Sequence, residues 1–331
     1  MAAEKTMRAV VLDGSCTPEE MRVSKIPVPE AKPGWVLVKV HASGVNRAEL
    51  ILRQHEADEP YINTPVVPGI ECAGEVVDPS DSDLEAGQKV VGIMGGMGRS
   101  FDGGYAEYCL VPRKNLFTVE SDLPWDELAT VPESWFTAYG SLVKALRLRR
   151  GESLLVRGGT SALGIAALTL AKGMGATVAV TTRRESRADQ LREWGADAVL
   201  VDDGTLAEQA RAEAPSGFDC VLELVGPATL LESMRLASPG GGRVCMTGVL
   251  GGKEELDGFD PIKDIPAGVY LCSFFSNYPT QADVDAIFRF ICENGVRPAV
   301  GARYPLDEAG RAHADIEAGR VLGKAVLVMD A

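Results

Sequence analysis

The residues with the clearest potential for chemistry lie at positions 153–171, where a buried apolar run turns through small residues directly into an apolar helix. Glycines in the turn permit positive φ and a close approach to the backbone. The free N–H groups of the first helical turn and the helix dipole attract phosphate oxygens. The turn therefore favours the pyrophosphate of a dinucleotide, although Ser161 and Ala162 replace glycines of the strict G-x-G-x-x-G pattern. The residues expected to hold it are Gly158, Gly159, Thr160, Ser161, Ala162, Leu163 and Gly164.

A second group of functional side chains follows the next predicted strand, at residues 177–181. Dinucleotide-binding folds place the group that reads the adenosine ribose about 20 residues beyond the glycine turn. Here that position carries Thr182, Arg183 and Arg187 instead of a carboxylate. Hydroxyls and guanidiniums suit a 2′-phosphate, so the sequence favours NADPH over NADH. The alternative interpretation is an arginine-rich helix start that faces solvent.

Three further predicted strands end in residues that could contact a cofactor. Val225 follows the fourth strand, and residues Thr247, Gly248 and Val249 lie at the end of the fifth. Cofactors bind at such strand ends in open α/β sheets. Phe275 follows the sixth strand, where a place in the core is as good an interpretation as a contact with nicotinamide or substrate.

The pattern of secondary structure changes near residue 125. Before it, short extended runs separated by turn residues predict a compact β-rich domain. After it, strands and helical stretches alternate, which predicts an α/β fold with a doubly wound parallel sheet. The strand candidates of this part are residues 153–157, 177–181, 197–201, 218–224, 243–247 and 268–274. A helix at residues 281–294 and a final strand at residues 323–329 follow.

Length and composition limit the class of protein. The chain has 331 residues, enough for two domains of ordinary size, and a net charge of −14. This charge argues against a general nucleic-acid or anionic-membrane surface, because both partners are polyanions. The sequence shows no signal peptide and no apolar run that could span a bilayer. Its seven cysteines are spread mostly through apolar runs, as expected of reduced thiols in the cytoplasm.

Five phrases give the chain a resemblance to a known family over nearly its whole length. They are GVNRAEL at residues 44–50, PGIECAGEVV at 68–77, FTAY at 136–139, GGTSALG at 158–164 and GKAV at 323–326. Together they resemble the zinc-independent, quinone oxidoreductase-like branch of the medium-chain dehydrogenase/reductase superfamily. The resemblance implies a GroES-like substrate domain at residues 1–125, completed by residues 299–331. It also implies an NADPH-binding Rossmann domain at residues 126–298.

The same resemblance implies where the site residues act. Nicotinamide and substrate are expected in a cleft between the domains, with Asn46 and Thr137 facing the nicotinamide and Lys324 contacting the cofactor. The structural alternatives are a turn residue for Asn46 and a helix-start cap for Thr137. Relatives of this type commonly pair through the edge of the nucleotide-binding sheet. The apolar run at residues 269–275 is a plausible edge strand, so we expect a homodimer.

The positions that hold a catalytic metal in zinc-dependent relatives can be compared with this chain. They correspond to Asn46, Ile70 and Glu133, and the sequence has no C-x-x-C spacing. Isoleucine cannot ligate a metal, and an amide with one carboxylate is a poor zinc site. The sequence therefore predicts no metal.

These observations predict hydride transfer from NADPH to a quinone or another α,β-unsaturated carbonyl. Such acceptors need no Lewis acid, because their own conjugated carbonyls delocalise the developing charge. An enoyl or alkenal reductase on the same scaffold is one alternative, although Tyr61 comes later than the proton-donating tyrosine of several enoyl reductases. A non-catalytic NADPH-binding redox sensor is the other, since a fold alone never proves catalysis.

Overall fold

The computed structural model describes residues 5–253 and 255–329, and it divides the chain into two compact units. Unit 1 comprises the described residues up to Phe136 and from Asn277 onward, and unit 2 comprises Thr137–Ser276. The sequence placed these boundaries near residues 125 and 299. They shift because the helix that starts at Gln281 packs within unit 1, where the Gln281 side chain bonds the backbone of Thr118 through its amide N–H (2.9 Å) and its amide oxygen (3.1 Å).

The described residues form fifteen strands and ten α-helices. The strands are β1 (Thr6–Val10), β2 (Val23–Pro27), β3 (Trp35–Val45), β4 (Glu71–Asp78), β5 (Lys89–Ile93), β6 (Tyr108–Pro112), β7 (Leu116–Thr118), β8 (Ser153–Arg157), β9 (Thr177–Thr182), β10 (Ala198–Val201), β11 (Cys220–Glu223), β12 (Arg243–Met246), β13 (Tyr270–Ser273), β14 (Val300–Pro305) and β15 (Lys324–Val328). The helices are α1 (Arg47–Gln54), α2 (Trp125–Leu128), α3 (Pro132–Tyr139), α4 (Ala162–Met174), α5 (Ala188–Glu193), α6 (Leu206–Glu213), α7 (Pro227–Leu236), α8 (Pro261–Asp264), α9 (Gln281–Glu293) and α10 (Ala309–Glu317). A π-helix, Gly140–Ala145, continues directly from α3.

Unit 2 is built on a six-stranded, all-parallel sheet in the order β10-β9-β8-β11-β12-β13. The six strand candidates read from the sequence all appear, each within two residues of its expected start. The inner strands β8 and β11 are apolar and buried along most of their length, which is typical of a parallel sheet covered on both faces. The prediction of a doubly wound α/β domain is therefore confirmed.

The order of the strands creates a switch point between β8 and β11. From β8 the chain builds β9 and β10 toward one edge, whereas β11, β12 and β13 build toward the other. The carboxyl ends of β8 and β11 are therefore neighbours while their following loops diverge. Ligands of open α/β sheets bind outside the strands at such a point.

Unit 1 contains a seven-stranded sheet in the order β14-β15-β3-β4-β5-β7, with β6 also paired to β3, and a separate antiparallel pair β1-β2. Most pairings are antiparallel, and β14 with β15 is parallel. The register joins Ala325 of β15 to Val45 of β3, so the residues just before and after this pair, Lys324 and Asn46, are brought together. No helix in the described part of the chain is long and apolar enough to cross a membrane.

Candidate functional site

The glycine turn of unit 2 is held by two hydroxyl groups, one from Thr181 of β9 and one from Ser161 of the turn itself. Gly158 follows β8 with φ +94°, and its N–H donates to Oγ1 of Thr181 at 3.0 Å. Ser161 is the N-cap of α4, and its hydroxyl accepts from the N–H of Gly164 at 3.0 Å while donating to the carbonyl of Gly158 at 2.9 Å. The turn therefore delivers the start of α4 to the carboxyl end of the sheet.

Two glycines of this turn are required by close packing. A Cβ on Gly159 would lie 2.7 Å from Cβ of Val180, and one on Gly164 would lie 2.5 Å from the carbonyl oxygen of Gly158. Thr160, Ser161, Ala162 and Leu163 remain only half-buried between them. The turn thus presents backbone N–H groups of a helix start to an approaching anion, as a dinucleotide pyrophosphate requires.

Three arginines cluster where β9 ends. Thr182 is buried, and its hydroxyl accepts from the N–H of Arg184 at 3.1 Å, which fixes the path of the chain. Arg183 is exposed and Arg187 is half-buried. Burial and repulsion by the neighbouring positive charges of Arg184 and Arg183 lower the pKa of Arg187. A bound anion would reduce that repulsion.

The loops after β11 and β12 lie against the glycine turn. Gly251 donates its N–H to the carbonyl of Val225 at 2.8 Å, and Leu250 donates to the carbonyl of Leu224 at 3.0 Å. A Cβ on Gly158 would lie 3.1 Å from Cβ of Leu224 and 3.2 Å from Cδ1 of Leu250. The structure therefore brings Val225 and the segment Thr247, Gly248 and Val249 to the same end of the sheet as the turn.

Glu223 supports this end of the sheet, although it was not among the predicted site residues. Its carboxylate is fully buried and accepts from the N–H groups of Val225 at 2.7 Å and Gly226 at 3.0 Å. Burial raises the pKa of Glu223. The buried strand end thereby holds the Val225 loop in place.

Thr137 connects to the predicted cofactor loops through the π-helix. Its carbonyl accepts from the hydroxyl of Ser141 at 2.7 Å, and that hydroxyl lies 2.9 Å from Oγ1 of Thr247. Thr137 lies inside α3 and not at its start, so the interpretation as a helix-start cap is wrong. Phe275 is 79% exposed, and its role stays a prediction.

Asn46 lies at the centre of a buried polar cluster in unit 1. It is the N-cap of α1 and is only 9% exposed. Its amide oxygen accepts from the ammonium of Lys324, and its Nδ2 donates to Oε1 of Glu71 at 2.8 Å. Lys324 Nζ also lies 2.6 Å from the same carboxylate and donates to Oγ of Ser134 at 3.1 Å. The ammonium predicted to contact the cofactor thus has three protein partners, all of them buried.

A second carboxyl group, Glu49, lies beside this cluster. Its two oxygens accept from the N–H groups of Ile70 at 2.8 Å and Asn46 at 2.6 Å. Burial, reinforced by the nearby charge of Glu71, raises the pKa of Glu49 to about 7 against the opposing effect of these N–H groups. Glu49, Glu71 and Ser134 were not among the predicted site residues, although Glu49 and Glu71 belong to the phrases that carry the resemblance.

The three positions aligned with zinc ligands do not fit a zinc ion. Ile70 offers only hydrocarbon, and the amide oxygen of Asn46 already accepts from an ammonium whose charge would repel a dication. Among the residues that the structure describes, no group of three or more His, Cys, Asp or Glu side chains is placed to hold a metal.

Comparisons with known proteins agree with this architecture. Two family models match: the alcohol dehydrogenase GroES-like domain at residues 32–121 and the zinc-binding dehydrogenase at residues 162–291. Quinone oxidoreductase of Homo sapiens is 28% identical over 334 residues, which cover 98% of this chain and 99% of the relative.

Comparison with solved structures supports the same architecture. The crystal structure of AibC is 30% identical with a TM-score of 0.87, covering 98% of this chain and 96% of that one. The structure of mycobacterial Rv1454c complexed with NADPH is 26% identical with a TM-score of 0.84, covering 98% and 100%. The resemblance of the five phrases to the quinone oxidoreductase-like branch of the superfamily is confirmed, and so is the predicted fold class. The chain belongs to the medium-chain dehydrogenase/reductase superfamily of oxidoreductases, in its quinone oxidoreductase-like branch.

Proposed function

We propose that this protein transfers a hydride from NADPH to a quinone or another electron-poor conjugated carbonyl, without a metal. The observation that carries the proposal is the Asn46 carboxamide, held in a buried ionic cluster where zinc-dependent relatives keep a metal-binding cysteine. A hydrogen-bond donor in this position can stabilise an acceptor that already delocalises its own charge.

The cofactor assignment rests on unit 2. The helix start after Gly159 offers N–H groups to a pyrophosphate, and the arginines around Arg187 offer positive charge to a 2′-phosphate. When bound, NADPH supplies the hydride, and the protein supplies position and electrostatics. We assign the cofactor contacts of this unit to the glycine turn and to Thr182, Arg183, Arg187, Val225, Thr247, Gly248, Val249 and Phe275.

The roles nearer the reacting atoms fall to two residues. Asn46 donates an N–H to the acceptor oxygen, where negative charge grows during hydride transfer. Thr137, whose backbone is tied to Ser141, orients the nicotinamide or the acceptor through its hydroxyl. Lys324 acts on this site through Asn46, since its ammonium bonds the Asn46 oxygen.

The state of the cysteines bears on the compartment of the enzyme. All seven cysteines are free, which fits a reducing compartment such as the cytoplasm.

Strand β13 is the last strand of the unit 2 sheet and its Tyr270 is 65% exposed, so we assign the homodimer contact to this edge.

Steady-state NADPH oxidation with a benzoquinone, an alkenal and an enoyl thioester tests the proposal. Quinone or alkenal turnover is expected, and Asn46→Ala should lower kcat by roughly 10- to 1000-fold with little change in NADPH affinity. Turnover of the thioester alone would favour the enoyl reductase alternative. NADPH binding without turnover of any acceptor would favour the sensor. Exhaustive chelation should leave folding and activity intact, and stoichiometric zinc in active enzyme would overturn the metal-free mechanism.

A further inference from the structure

We infer that Glu71 and Lys324 form a buried clamp that fixes the carboxamide of Asn46 in one of its two flip states, which makes both of them positioning residues. The catalytic consequence of this inference rests on the function proposed above. The geometry itself does not, because it follows from three contacts: Lys324 Nζ to Asn46 Oδ1, Asn46 Nδ2 to Glu71 Oε1 at 2.8 Å, and Lys324 Nζ to Glu71 Oε1 at 2.6 Å.

The two charges select the orientation of the amide. In the observed state the amide oxygen meets an ammonium and the amide nitrogen meets a carboxylate, so both hydrogen bonds are charge-assisted and about twice as strong as neutral ones. The opposite flip would set an N–H₂ group against the ammonium and a carbonyl oxygen against the carboxylate. Both pairs would be repulsive, and Asn46 is too buried for water to replace the lost partners.

The site is built to hold these charges. The Lys324 side chain is 2% exposed and that of Glu71 is fully buried, yet the polar atoms of both are satisfied. Ser134 accepts another N–H of the ammonium at 3.1 Å, and the second oxygen of Glu71 accepts from the N–H of Glu133 at 2.7 Å. A Cβ on Gly44 would collide with the Glu71 carboxylate and with Cε of Lys324, so this glycine makes room for the clamp.

Fixing the flip state determines what Asn46 can offer a substrate. An asparagine amide has two N–H donors and one acceptor oxygen. Here the oxygen is used by Lys324 and one N–H by Glu71, which leaves the second N–H as the group available to an acceptor oxygen. The ammonium on the amide oxygen also polarises the amide and strengthens that donor.

The first test neutralises the clamp as a pair. Glu71→Gln/Lys324→Met removes both charges of the buried pair together, so the variant is expected to fold. Either single change leaves the charge of the other residue buried without its partner. We expect kcat to fall by roughly 10- to 1000-fold, as for Asn46→Ala, with unchanged KM for NADPH. In an Asn46→Ala background, the same double change should not lower kcat any further. Lys324→Arg should retain most of the activity.

The matched control is Glu308→Gln/Arg311→Met, which neutralises an exposed ion pair at the start of α10 in the same unit and should leave kcat unchanged. Two results would overturn the inference. One is an unchanged kcat in the folded clamp variant. The other is an equal loss of kcat in the wild-type and Asn46→Ala backgrounds, because then Glu71 and Lys324 would act without Asn46.

A second readout needs no turnover. The side-chain ¹⁵N–¹H pair of Asn46, identified by its disappearance in Asn46→Ala, should show one proton shifted downfield by the carboxylate. This shift should be lost in Glu71→Gln/Lys324→Met and kept in the control. If this shift is lost in the clamp variant and kept in the control, but the wild-type protein reduces no acceptor, the clamp is supported and the proposed function is wrong. An Asn46 signal that the clamp variant leaves unchanged overturns the clamp alone.

Discussion

The hydroxyl of Tyr105 lies 3.2 Å from Nε2 of His313, and both side chains are fully buried in unit 1. On the other side of the ring, Nε of Arg53 donates to Nδ1 of His313 at 3.3 Å. Because Nδ1 accepts a hydrogen bond, the neutral ring carries its proton on Nε2 and donates it to the tyrosine oxygen. A second proton on Nδ1 would face the guanidinium. Burial and the charge of Arg53 accordingly lower the pKa of His313 to about 3.

This arrangement predicts acid sensitivity between pH 6.5 and 3. Within that interval the unfolded chain binds a proton at His313 and the folded chain does not, so the contribution of His313 to stability falls as pH falls. Between pH 7 and pH 4 the contribution is about 3 kcal/mol of unfolding free energy. His313→Gln should remove that part of the pH dependence in urea titrations at both pH values.

The exposed His55 provides the control. His55→Gln should show the same change in stability between pH 7 and pH 4 as the wild-type protein, in which the opposing contribution of Glu49 also acts. A His313→Gln variant whose stability changes between pH 7 and pH 4 by the same amount as that of the wild-type protein would show that His313 is not the titrating group.

The raised pKa of Glu49 predicts the opposite dependence of stability on pH. Its pKa of about 7 in the folded state lies above the usual value, so the folded chain holds a proton that the unfolded chain releases between pH 4.5 and 7. Stability from this group is complete below pH 4.5 and is lost as pH rises through 7, by about 3 kcal/mol. Glu49→Gln should abolish this dependence of stability on pH. Burial of the glutamine amide should lower stability by the same amount at every pH. The exposed Glu208→Gln should keep the slope, and a slope common to both variants would contradict the assignment.

The parallel sheet could be predicted well from the sequence because its signals are local. Each strand of unit 2 is a short apolar run bounded by turn residues, and the glycine turn lies next to the helix that it starts. The strand β14 was missed, because Val300–Pro305 contains a glycine, an arginine and a proline and alternates between half-buried and exposed positions. Its identity as a strand comes from parallel pairing with β15.

The polar clusters could not be predicted because their members are far apart in the chain. Lys324 meets Asn46 only through the register of β15 on β3, and a single sequence does not show which strands pair. The same holds for the boundary of unit 2. The amphipathic pattern of α9 predicts a helix, but not that Trp135 will pack near Phe290 within unit 1, with ring centroids 6.3 Å apart.

Cofactor choice should depend on Arg187 and Arg183. If either guanidinium pairs with the 2′-phosphate, its replacement by alanine removes a charge-assisted hydrogen bond of about 1.5–3 kcal/mol. Titration should then show NADPH affinity lower by roughly 10- to 150-fold and NADH affinity almost unchanged. Arg192→Ala is the control, since Arg192 is paired with Asp189 in α5 at 2.9 Å. Equal losses for both cofactors, or a wild-type preference for NADH, would sink the assignment.

Assembly should depend on the edge of the unit 2 sheet. Strand β13 ends the strand order, and an exposed edge with large apolar side chains is a template for pairing with a second chain. Light scattering at micromolar concentration should give twice the chain mass of 35.2 kDa. Tyr270→Lys places a charge on the edge and should shift the protein to monomers, whereas Val77→Lys, on an exposed position of β4, should not. A monomeric wild-type protein would show that no dimer forms. A Tyr270→Lys variant that stays fully dimeric would show that the dimer contact lies elsewhere. A tetramer would require a second interface, and Tyr270→Lys should then reduce it to dimers.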